Sequence, residues 1–353
     1  MKENIVGIQQ IGIGVPDVHE AWDFYRKHFG MDIPVFQESA EAKLMTKYTG
    51  GKVHARSAVL AINISGGGGM EIWQYTSREP QAPKFEPKLG DLGLFAAKIK
   101  SPDVNKSHQI LSEILPKGSC SDILKNPAGE VHFYVRDPFG NYFDIIPGKD
   151  WFRKPLTHCG GVAGSSIGVG NMEKSLAFYR DVLGFDKLVF DGSGIFDDLA
   201  YLPGGNKSFR RVILERSKQV SGTFSRLLGQ NAIELLEAID YKPRRIFEDR
   251  YWGDQGFIHL CFDVYDMKAL EGHVAAKGHP FTINSGNSFD MGEASGHFTY
   301  CEDPDGTWIE FVETYRIPVL KIIGWYLNLG SRDRSKPLPD WMLGALRFTR
   351  KKD

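Results

Sequence analysis

The sequence predicts an α+β fold made of four βαβββ modules that pair into two tandem domains. Two observations carry this prediction: a length of 353 residues, which suits two domains, and an internal repeat of two sequence signatures. Hydrophobic residues make up 42% of the chain and charged residues 25%. This is the composition of a globular protein, and either half is long enough to bury its own core.

The first signature is a strand followed by a helix. DVHEAWDFYRKHFGMDIPVF, which starts at Asp17, recurs 154 residues later as NMEKSLAFYRDVLGFDKLVF, which starts at Asn171. Apolar side chains alternate along residues 10–15, as they do in a strand with one buried face. Asp17 and Asn171 stand where a helix N-cap is expected. Gly30 and Gly184 follow the helices and favour left-handed caps.

The second signature is a tight turn between two strands. HFYVRDPFGNYFDII contains Asp137 and Gly140, and HFTYCEDPDGTWIEFV contains Asp303 and Gly306, 166 residues further on. Asp, Pro and Gly at these spacings are typical of tight turns. Both halves of the chain therefore carry the same two signatures in the same order.

Weaker copies of the strand and helix, at residues 94–118 and 259–278, complete a set of four modules. Each is a strand, a helix and then about three strands. The modules span residues 4–78, 90–148, 161–240 and 254–315. We expect consecutive modules to pair. The predicted parts of the chain are domain 1 (residues 1–150), domain 2 (residues 151–315) and a C-terminal tail (residues 316–353) that packs on the domains.

Charge and cysteine content argue against several classes of protein. The formal net charge is −1, so we expect no general affinity for nucleic acid or an anionic membrane. Four cysteines without a CxxC pair predict free thiols in a reducing compartment. The polar N-terminus and the lack of a long apolar run predict neither a signal peptide nor a membrane span. We expect a cytoplasmic protein that binds a small-molecule substrate, and homo-oligomer formation stays open.

The repeated motifs resemble those of the vicinal oxygen chelate superfamily, which includes glyoxalase, bleomycin-resistance proteins, methylmalonyl-CoA epimerase and extradiol ring-cleaving dioxygenases. The resemblance rests on the FYRKHFG and FYRDVLGF helices and on the DPxGxxxE turn and strand, and it covers nearly all of residues 4–315. It implies two tandem glyoxalase-like domains, in which two modules form a cupped sheet around a divalent metal ion. The ligands of such sites come from the first and last strands of each module.

The resemblance also assigns ligand positions. Domain 2 has a histidine among them and domain 1 has none, so the resemblance implies a metal site in domain 2, held by His259, Glu310 and Glu234. The metal that the resemblance implies is Zn, Ni, Mn or Fe, and its identity stays open. In domain 1, Gln10, Glu71 and Asp144 could form an oxygen-rich site for a hard cation, but a degenerate, structural or ligand-shaping domain is the favoured interpretation. The ligand positions are Gln10, Glu71, approximately Leu94 and Asp144 in domain 1, and Gly164, Glu234, His259 and Glu310 in domain 2.

Each candidate residue has a plainer interpretation. Alternation places His259 on the face opposite the helix, where it is either a metal ligand or a hydrogen-bonded strand histidine. Glu310 is either a ligand or a carboxylate paired with an arginine. Glu234 is a ligand or a general base. Tyr300 is a candidate for substrate positioning and His297 for proton transfer, although a packed aromatic and an exposed strand residue are the favoured interpretations.

Three functions compete. The preferred one is a metal-dependent lyase or isomerase that acts on a substrate with vicinal oxygens through a metal-stabilised enolate. The second is an iron extradiol dioxygenase, whose two-histidine, one-carboxylate site would need His158 or His297 as its second histidine. The third is a metal-free small-molecule binding or resistance protein. The superfamily hosts all of these functions, so the fold does not choose among them.

Overall fold

The computed structural model describes residues 4–286, 289–290, 295–320, 324–330 and 332–351. All four predicted modules are present, and each opens with a strand and a helix. Modules 1 and 2 contain β1 (Ile5–Gly14), α1 (Val18–Phe29), β2 (Ile33–Glu41), β3 (Ala55–Ile62), β4 (Gly69–Tyr75), β5 (Gly93–Ser101), α2 (Val104–Ile114), β6 (Leu124–Lys125), β7 (Val131–Arg136) and β8 (Tyr142–Pro147). Modules 3 and 4 and the tail contain β9 (Val162–Val169), α3 (Met172–Asp181), β10 (Lys187–Gly194), β11 (Phe209–Glu215), α4 (Ser225–Leu228), β12 (Ala232–Ala238), β13 (Gly256–Val264), α5 (Met267–Ala276), β14 (Ile283–Asn284), β15 (Phe289–Asp290), β16 (Ser295–Glu302), β17 (Trp308–Leu320), β18 (Trp325–Asn328) and α6 (Asp340–Ala345).

The strands form two curled sheets of mixed direction. The first sheet has the order β14-β16-β17-β13-β1-β4-β3-β2, with β15 added at β16 and β18 at β17. The second has the order β10-β11-β12-β9-β5-β8-β7-β6. In every module the first and last strands are parallel neighbours. The predicted α+β class with two tandem glyoxalase-like domains is confirmed.

The prediction that consecutive modules share a sheet is wrong. In the first sheet β1 of module 1 runs antiparallel to β13 of module 4, with Gln10 opposite Cys261. In the second sheet β5 of module 2 pairs with β9 of module 3, with Lys98 opposite Gly164. Within its own module, each first strand pairs along one edge only. The backbone groups of its other edge are free to hydrogen-bond to the first strand of any other module. Each sheet therefore combines one module from each half of the chain, and this regroups the ligand positions.

Consecutive modules contact one another through their helices instead. The hydroxyl of Tyr25 on α1 donates to the Asp137 carboxylate in the turn of module 2, at 2.7 Å. Tyr179 on α3 makes the same contact with Asp303 in the turn of module 4, at 3.0 Å. The tyrosine of the first signature thus holds the aspartate of the second.

Both predicted helix starts and the predicted end of α1 are observed, whereas Val182 rather than Gly184 is the C-cap of α3. The Asp17 side chain accepts hydrogen bonds from two backbone N–H groups of the first turn of α1, and the Asn171 side chain accepts one, from Lys174, at the start of α3. Gly30 ends α1 with a φ of 68°, in the left-handed region that glycine adopts without a steric penalty. The largest apolar cluster lies between these helices and the two sheets; it includes Ile11, Tyr25, Ile99, Phe143, Tyr179 and Phe262.

The C-terminal tail packs against the first sheet and α4. Leu343 and Leu346 join a second apolar cluster with Ile62 and Leu228. The Arg350 guanidinium lies 3.0 Å from the Asp32 carboxylate, which anchors the end of the tail beside α1. Within the described residues, every helix is too short or too polar to cross a membrane.

Candidate metal centre

Four side chains from four neighbouring strands converge in the first sheet. They are Gln10 on β1, Glu71 on β4, His259 on β13 and Glu310 on β17. His259 Nε2 lies 3.0 Å from Glu310 Oε2 and 3.2 Å from Glu71 Oε2. Gln10 Nε2 lies 3.2 Å from the same oxygen of Glu71. All four side chains are buried. One ligand atom each from the two glutamates and the histidine lies within 4.8 Å of the others.

The register of the strands brings these residues together. Parallel pairing sets Gly12 opposite Glu71 and Cys261 opposite Glu310. A Cβ atom at Gly12 would lie only 2.3 Å from Cε1 of His259. Only glycine therefore leaves room for the imidazole ring between β1 and β13.

The electrostatics of this cluster fit a divalent cation. Two buried carboxylates share one imidazole and one amide, an arrangement that is costly without a further positive charge. His259 Nε2 lies close to both carboxylates but has no hydrogen bond of good geometry, and Gln10 Oε1 also has no partner among the described residues. Burial opposes protonation of His259, but Glu310 and Glu71 outweigh it and raise its pKa to about 9. An imidazole nitrogen, two carboxylates and an amide oxygen form a suitable donor set for a first-row divalent metal.

Two aromatic residues hold the imidazole in place. The hydroxyl of Tyr300 on β16 lies 3.3 Å from His259 Nδ1, which leaves Nε2 facing the carboxylates. The Trp252 ring is parallel to the imidazole within 5°, at a centroid distance of 5.9 Å. A hydrogen bond to the second ring nitrogen commonly orients a metal-binding histidine. Burial also raises the pKa of Tyr300 well above its ordinary value, so the phenol is neutral.

The structure brings together two of the three predicted ligands. His259 and Glu310 are adjacent, but the grouping of Glu234 with them is wrong. Glu234 lies on β12 in the second sheet, where Lys98 and Arg211 bind its carboxylate. The reason is the exchange of modules between the two halves of the chain.

Two residues that the sequence interpretation assigned to the other domain belong to this cluster. Gln10 and Glu71 occupy the ligand positions of module 1, and module 1 completes the sheet of module 4. The signal was present in the sequence, because pairing module 1 with module 4 gives a complete set of four donors. The assumption that consecutive modules pair concealed it.

His297 does not reach the cluster. Along β16 it alternates with Phe298 and Tyr300 and so points to the opposite face, and its Nε2 lies 2.7 Å from the Asn284 side chain. The proposed proton transfer by His297 at this site is therefore wrong. His158 lies beside α2, where its backbone carbonyl accepts a hydrogen bond from Ser107.

In the second sheet, a lysine ammonium lies between the two last-strand carboxylates, where the first sheet has the imidazole of His259. The last strands keep their carboxylates, Asp144 and Glu234. The Lys98 ammonium lies 2.6 Å from Asp144 and 2.8 Å from Glu234. A Cβ atom at Gly164 would lie 2.1 Å from the Ala232 carbonyl oxygen and 3.2 Å from Cδ of Lys98, so the backbone of β12 excludes a larger residue at this first-strand position.

The other first-strand position of the second sheet is Ala96, not Leu94. Ala96 pairs with Tyr142 as His259 pairs with Trp308. It lies seven residues before Asp103, the N-cap of α2, as His259 lies seven residues before Asp266, the N-cap of α5. Both first-strand ligand positions of this sheet are therefore residues without a donor side chain.

A buried ionic network surrounds Lys98. Arg211 binds Glu234 at 2.6 Å and Asp198 at 2.7 Å. His132 Nδ1 lies 2.7 Å from Asp144, and its Nε2 lies 3.3 Å from Asp198. Burial opposes ionisation of Glu234, but Arg211 and Lys98 outweigh it and lower its pKa. The three cationic side chains thus balance the three carboxylates.

Two curled sheets of βαβββ modules, with a histidine–carboxylate cluster in one of them, define a tandem glyoxalase-like protein. The model of the Glyoxalase/Bleomycin resistance protein/Dioxygenase superfamily matches residues 7–145 and 156–311. The chain belongs to this superfamily.

Solved structures with this fold come from bacteria and plants. A putative dioxygenase from Bacillus subtilis subsp. subtilis str. 168 is 14% identical, with a TM-score of 0.58 over 88% of this chain and 86% of that one. Glyoxalase I from Zea mays is 15% identical, with a TM-score of 0.53 over 87% of this chain and 92% of that one. At these identities the similarity shows the fold alone. No curated protein matches the chain.

Proposed function

We propose that this protein is a divalent-metal-dependent lyase or isomerase acting on a small molecule with two neighbouring oxygens. Gln10, Glu71, His259 and Glu310 would hold the metal. The observation that carries the proposal is the convergence of the His259 Nε2 atom on two buried carboxylates at 3.0 and 3.2 Å. A cation held by these residues would polarise the two substrate oxygens and stabilise negative charge on them.

The side chains around the centre supply the remaining functions. Glu71 and Glu310 both line the cavities that open onto the centre, so either carboxylate can take a proton from the substrate carbon next to a carbonyl and return it to the neighbouring carbon. Glu71 and Glu310 thus replace Glu234 as candidates for the general base, because Glu234 is buried in the second sheet. Tyr300 fixes the tautomer and direction of His259.

The ligand set favours this reaction class over extradiol ring cleavage. The iron sites of such oxygenases use two histidines and one carboxylate. The cluster found in the described residues contains one histidine and two glutamates, and neither His158 nor His297 joins it. A metal-free binding protein would leave two buried carboxylates with the single positive charge of His259 between them, an incomplete balance that argues against the third alternative.

Metal content and proton exchange test the proposal together. Protein stripped with a chelator and reloaded with Zn²⁺, Ni²⁺, Mn²⁺ or Fe²⁺ is expected to retain one equivalent after desalting, and His259→Ala to retain none. His297→Ala is the matched control, because His297 lies on the other face of the sheet. Loaded protein is expected to catalyse solvent deuterium exchange at the carbon next to the carbonyl of α-hydroxy ketones, followed by NMR. Equal metal retention by His259→Ala, or oxygen uptake on catechols by the iron form, would overturn the proposal.

A cytoplasmic location also stays a proposal. It is supported by the four cysteines, which are free thiols in the structure as in a reducing compartment. The proposed partner is a small-molecule substrate.

A further inference from the structure

Two cavities of different character meet at the candidate metal centre. One has a volume of about 110 Å³ and the other, which is wider, about 570 Å³. Glu71, Phe298 and Glu310 line both of them. Gln10 faces only the smaller cavity and Tyr300 only the larger one. A substrate bound at the centre therefore extends into one or both of these spaces.

The walls of the smaller cavity are mostly apolar, with the uncharged polar side chains of Gln9, Ser295 and Thr314 among them. The described residues that line it include no lysine or arginine, and its only charged residues are Glu71 and Glu310 of the centre itself. Strands β2 and β3, helix α4, module 4 and the C-terminal tail all contribute. The apolar lining residues are Val35, Phe36, Leu60, Ile62, Phe224, Leu227, Leu228, Phe298, Val312, Ile317 and Leu346.

The C-terminal tail forms part of the wall of this cavity. Leu346, and Ile317 where β17 enters the tail, belong both to the lining and to the apolar cluster that attaches the tail to the sheet. The backbone N–H of Lys351 donates to the Asp32 carbonyl at 2.8 Å, next to the ion pair between Arg350 and Asp32. The segment outside the fourfold repeat is thus a fixed part of the site.

The larger cavity is lined by charged groups. Arg56, paired with Glu38, and Lys43 lie along it, together with Glu41. A polar or hydrated part of a ligand has partners here. In the smaller cavity the polar side chains outside the centre are the uncharged Gln9, Ser295 and Thr314 among the described residues, so a charged part of a ligand would lose its hydration there without gaining an opposite charge.

We propose that the substrate carries its two neighbouring oxygens on an uncharged, ring-sized apolar group, and that this group occupies the smaller cavity. An apolar protein cavity of roughly 150 Å³ holds a benzene molecule, so a space of about 110 Å³ suits a single ring or a short branched chain. This inference rests on the proposed function, because it assumes that the oxygens bind at the metal centre.

Hydroxamates test the substrate class directly, because they offer two neighbouring oxygens to a metal on a side group that can be varied. Calorimetric titration of the Mn²⁺-loaded protein is expected to give at least about tenfold tighter binding for benzohydroxamate than for acetohydroxamate, because the phenyl ring buries more apolar surface than a methyl group does. 4-Carboxybenzohydroxamate, with a charge on the same ring, is expected to bind at least about tenfold more weakly than benzohydroxamate.

A tail variant locates the effect. Leu346→Asn is expected to weaken benzohydroxamate binding several-fold and to leave acetohydroxamate binding unchanged, whereas Leu156→Asn, at an exposed residue outside the cavity, changes neither. The comparison of the three hydroxamates on the unaltered protein needs no variant, so it decides the question even if Leu346→Asn does not fold.

The outcomes separate this inference from the proposed function. Equal affinity for benzohydroxamate and acetohydroxamate, or no penalty for the added carboxylate, would overturn the substrate class and leave the metal centre standing. Failure of all three hydroxamates to bind protein that holds Mn²⁺ would overturn the proposed function, and the substrate class with it.

Discussion

Replacement of Gly12 by alanine tests the geometry of the centre without removing any ligand. The new Cβ atom would lie 2.3, 2.6 and 2.7 Å from three atoms of the His259 ring, where ordinary contact begins at 3.4 Å. The backbone of Gly12 does not require glycine, because its φ lies outside the left-handed region. The expected effect is therefore a displacement of the imidazole by about 1 Å rather than a failure to fold.

The cost of that displacement is expected in metal affinity. Trp252 and Tyr300 enclose the ring, so it has no room to retreat and keep Nε2 directed at Glu71 and Glu310. Functional sites tolerate misplacement of roughly 0.5 Å, and loss of a hydrogen bond that only orients a metal ligand costs roughly 10–100-fold in metal affinity. We expect Gly12→Ala to weaken metal binding about 100-fold, which corresponds to about 2.7 kcal/mol.

Competition with a fluorescent chelator measures this affinity. Gly272→Ala is the matched control, since a Cβ there meets nothing within 4 Å and Gly272 lies within α5. Its metal affinity is expected to equal that of the unaltered protein. Unchanged affinity in Gly12→Ala would refute the inference that the imidazole between β1 and β13 binds the metal.

Two further predictions concern the ionic network of the second sheet. Lys98→Met removes the ammonium group that pairs with the buried carboxylates of Asp144 and Glu234. Breaking such a buried ion pair lowers the free energy of unfolding by about 3 kcal/mol. For a protein of 353 residues this corresponds to a fall of about 4 °C in Tm. Differential scanning calorimetry checks this against the exposed Lys52→Met, and equal Tm values would contradict it. Burial opposes protonation of His132, but Asp144 and Asp198 outweigh it and raise the pKa of His132 to about 9. Because this folded-state pKa lies above the ordinary value near 6.5, the stabilisation is fully present below about pH 6.5 and is lost as the pH rises through 9. The difference in unfolding free energy between the unaltered protein and His132→Gln is therefore expected to shrink by about 3 kcal/mol over that range, measured by urea unfolding at several pH values. A constant difference would contradict a protonated His132.

The sequence revealed the modules because their local signals are strong. The caps at Asp17 and Asn171, the glycine after each helix and the two DPxG turns depend on a few neighbouring residues. Because these signals recur in both halves of the chain, they predicted four βαβββ modules and the α+β fold class. The contact of Tyr25 with Asp137 is not readable from either motif alone, although both motifs repeat together.

The pairing of modules was not predictable by the same means. The strands β1, β5, β9 and β13 all have an apolar face and a free edge. The alternation of apolar residues along them therefore does not predict which of these strands hydrogen-bond to each other. A comparison of donor sets distinguishes the alternatives. Pairing module 1 with module 4 unites Gln10, Glu71, His259 and Glu310, whereas consecutive pairing spreads them over two incomplete sites.

The sequence analysis also did not predict that Lys98 pairs with the carboxylates of the second sheet. The ligand position of module 2 is Ala96, seven residues before the helix cap Asp103, so the approximate assignment to Leu94 lay two residues too early. Lys98 lies two positions further along β5 on the same face, and the ligand pattern does not mark that position. The lysine is recognised only when its ammonium is seen between Asp144 and Glu234.

The most direct test of the central claim is an anomalous-scattering map of a crystal of the Mn²⁺-loaded protein. One peak per chain is expected, roughly 2.0–2.3 Å from His259 Nε2 and from a carboxylate oxygen each of Glu71 and Glu310. A peak between Asp144 and Glu234, or two peaks per chain, would contradict the assignment of the second site to Lys98. No peak beside His259 in protein that retains Mn²⁺ would contradict the metal centre itself.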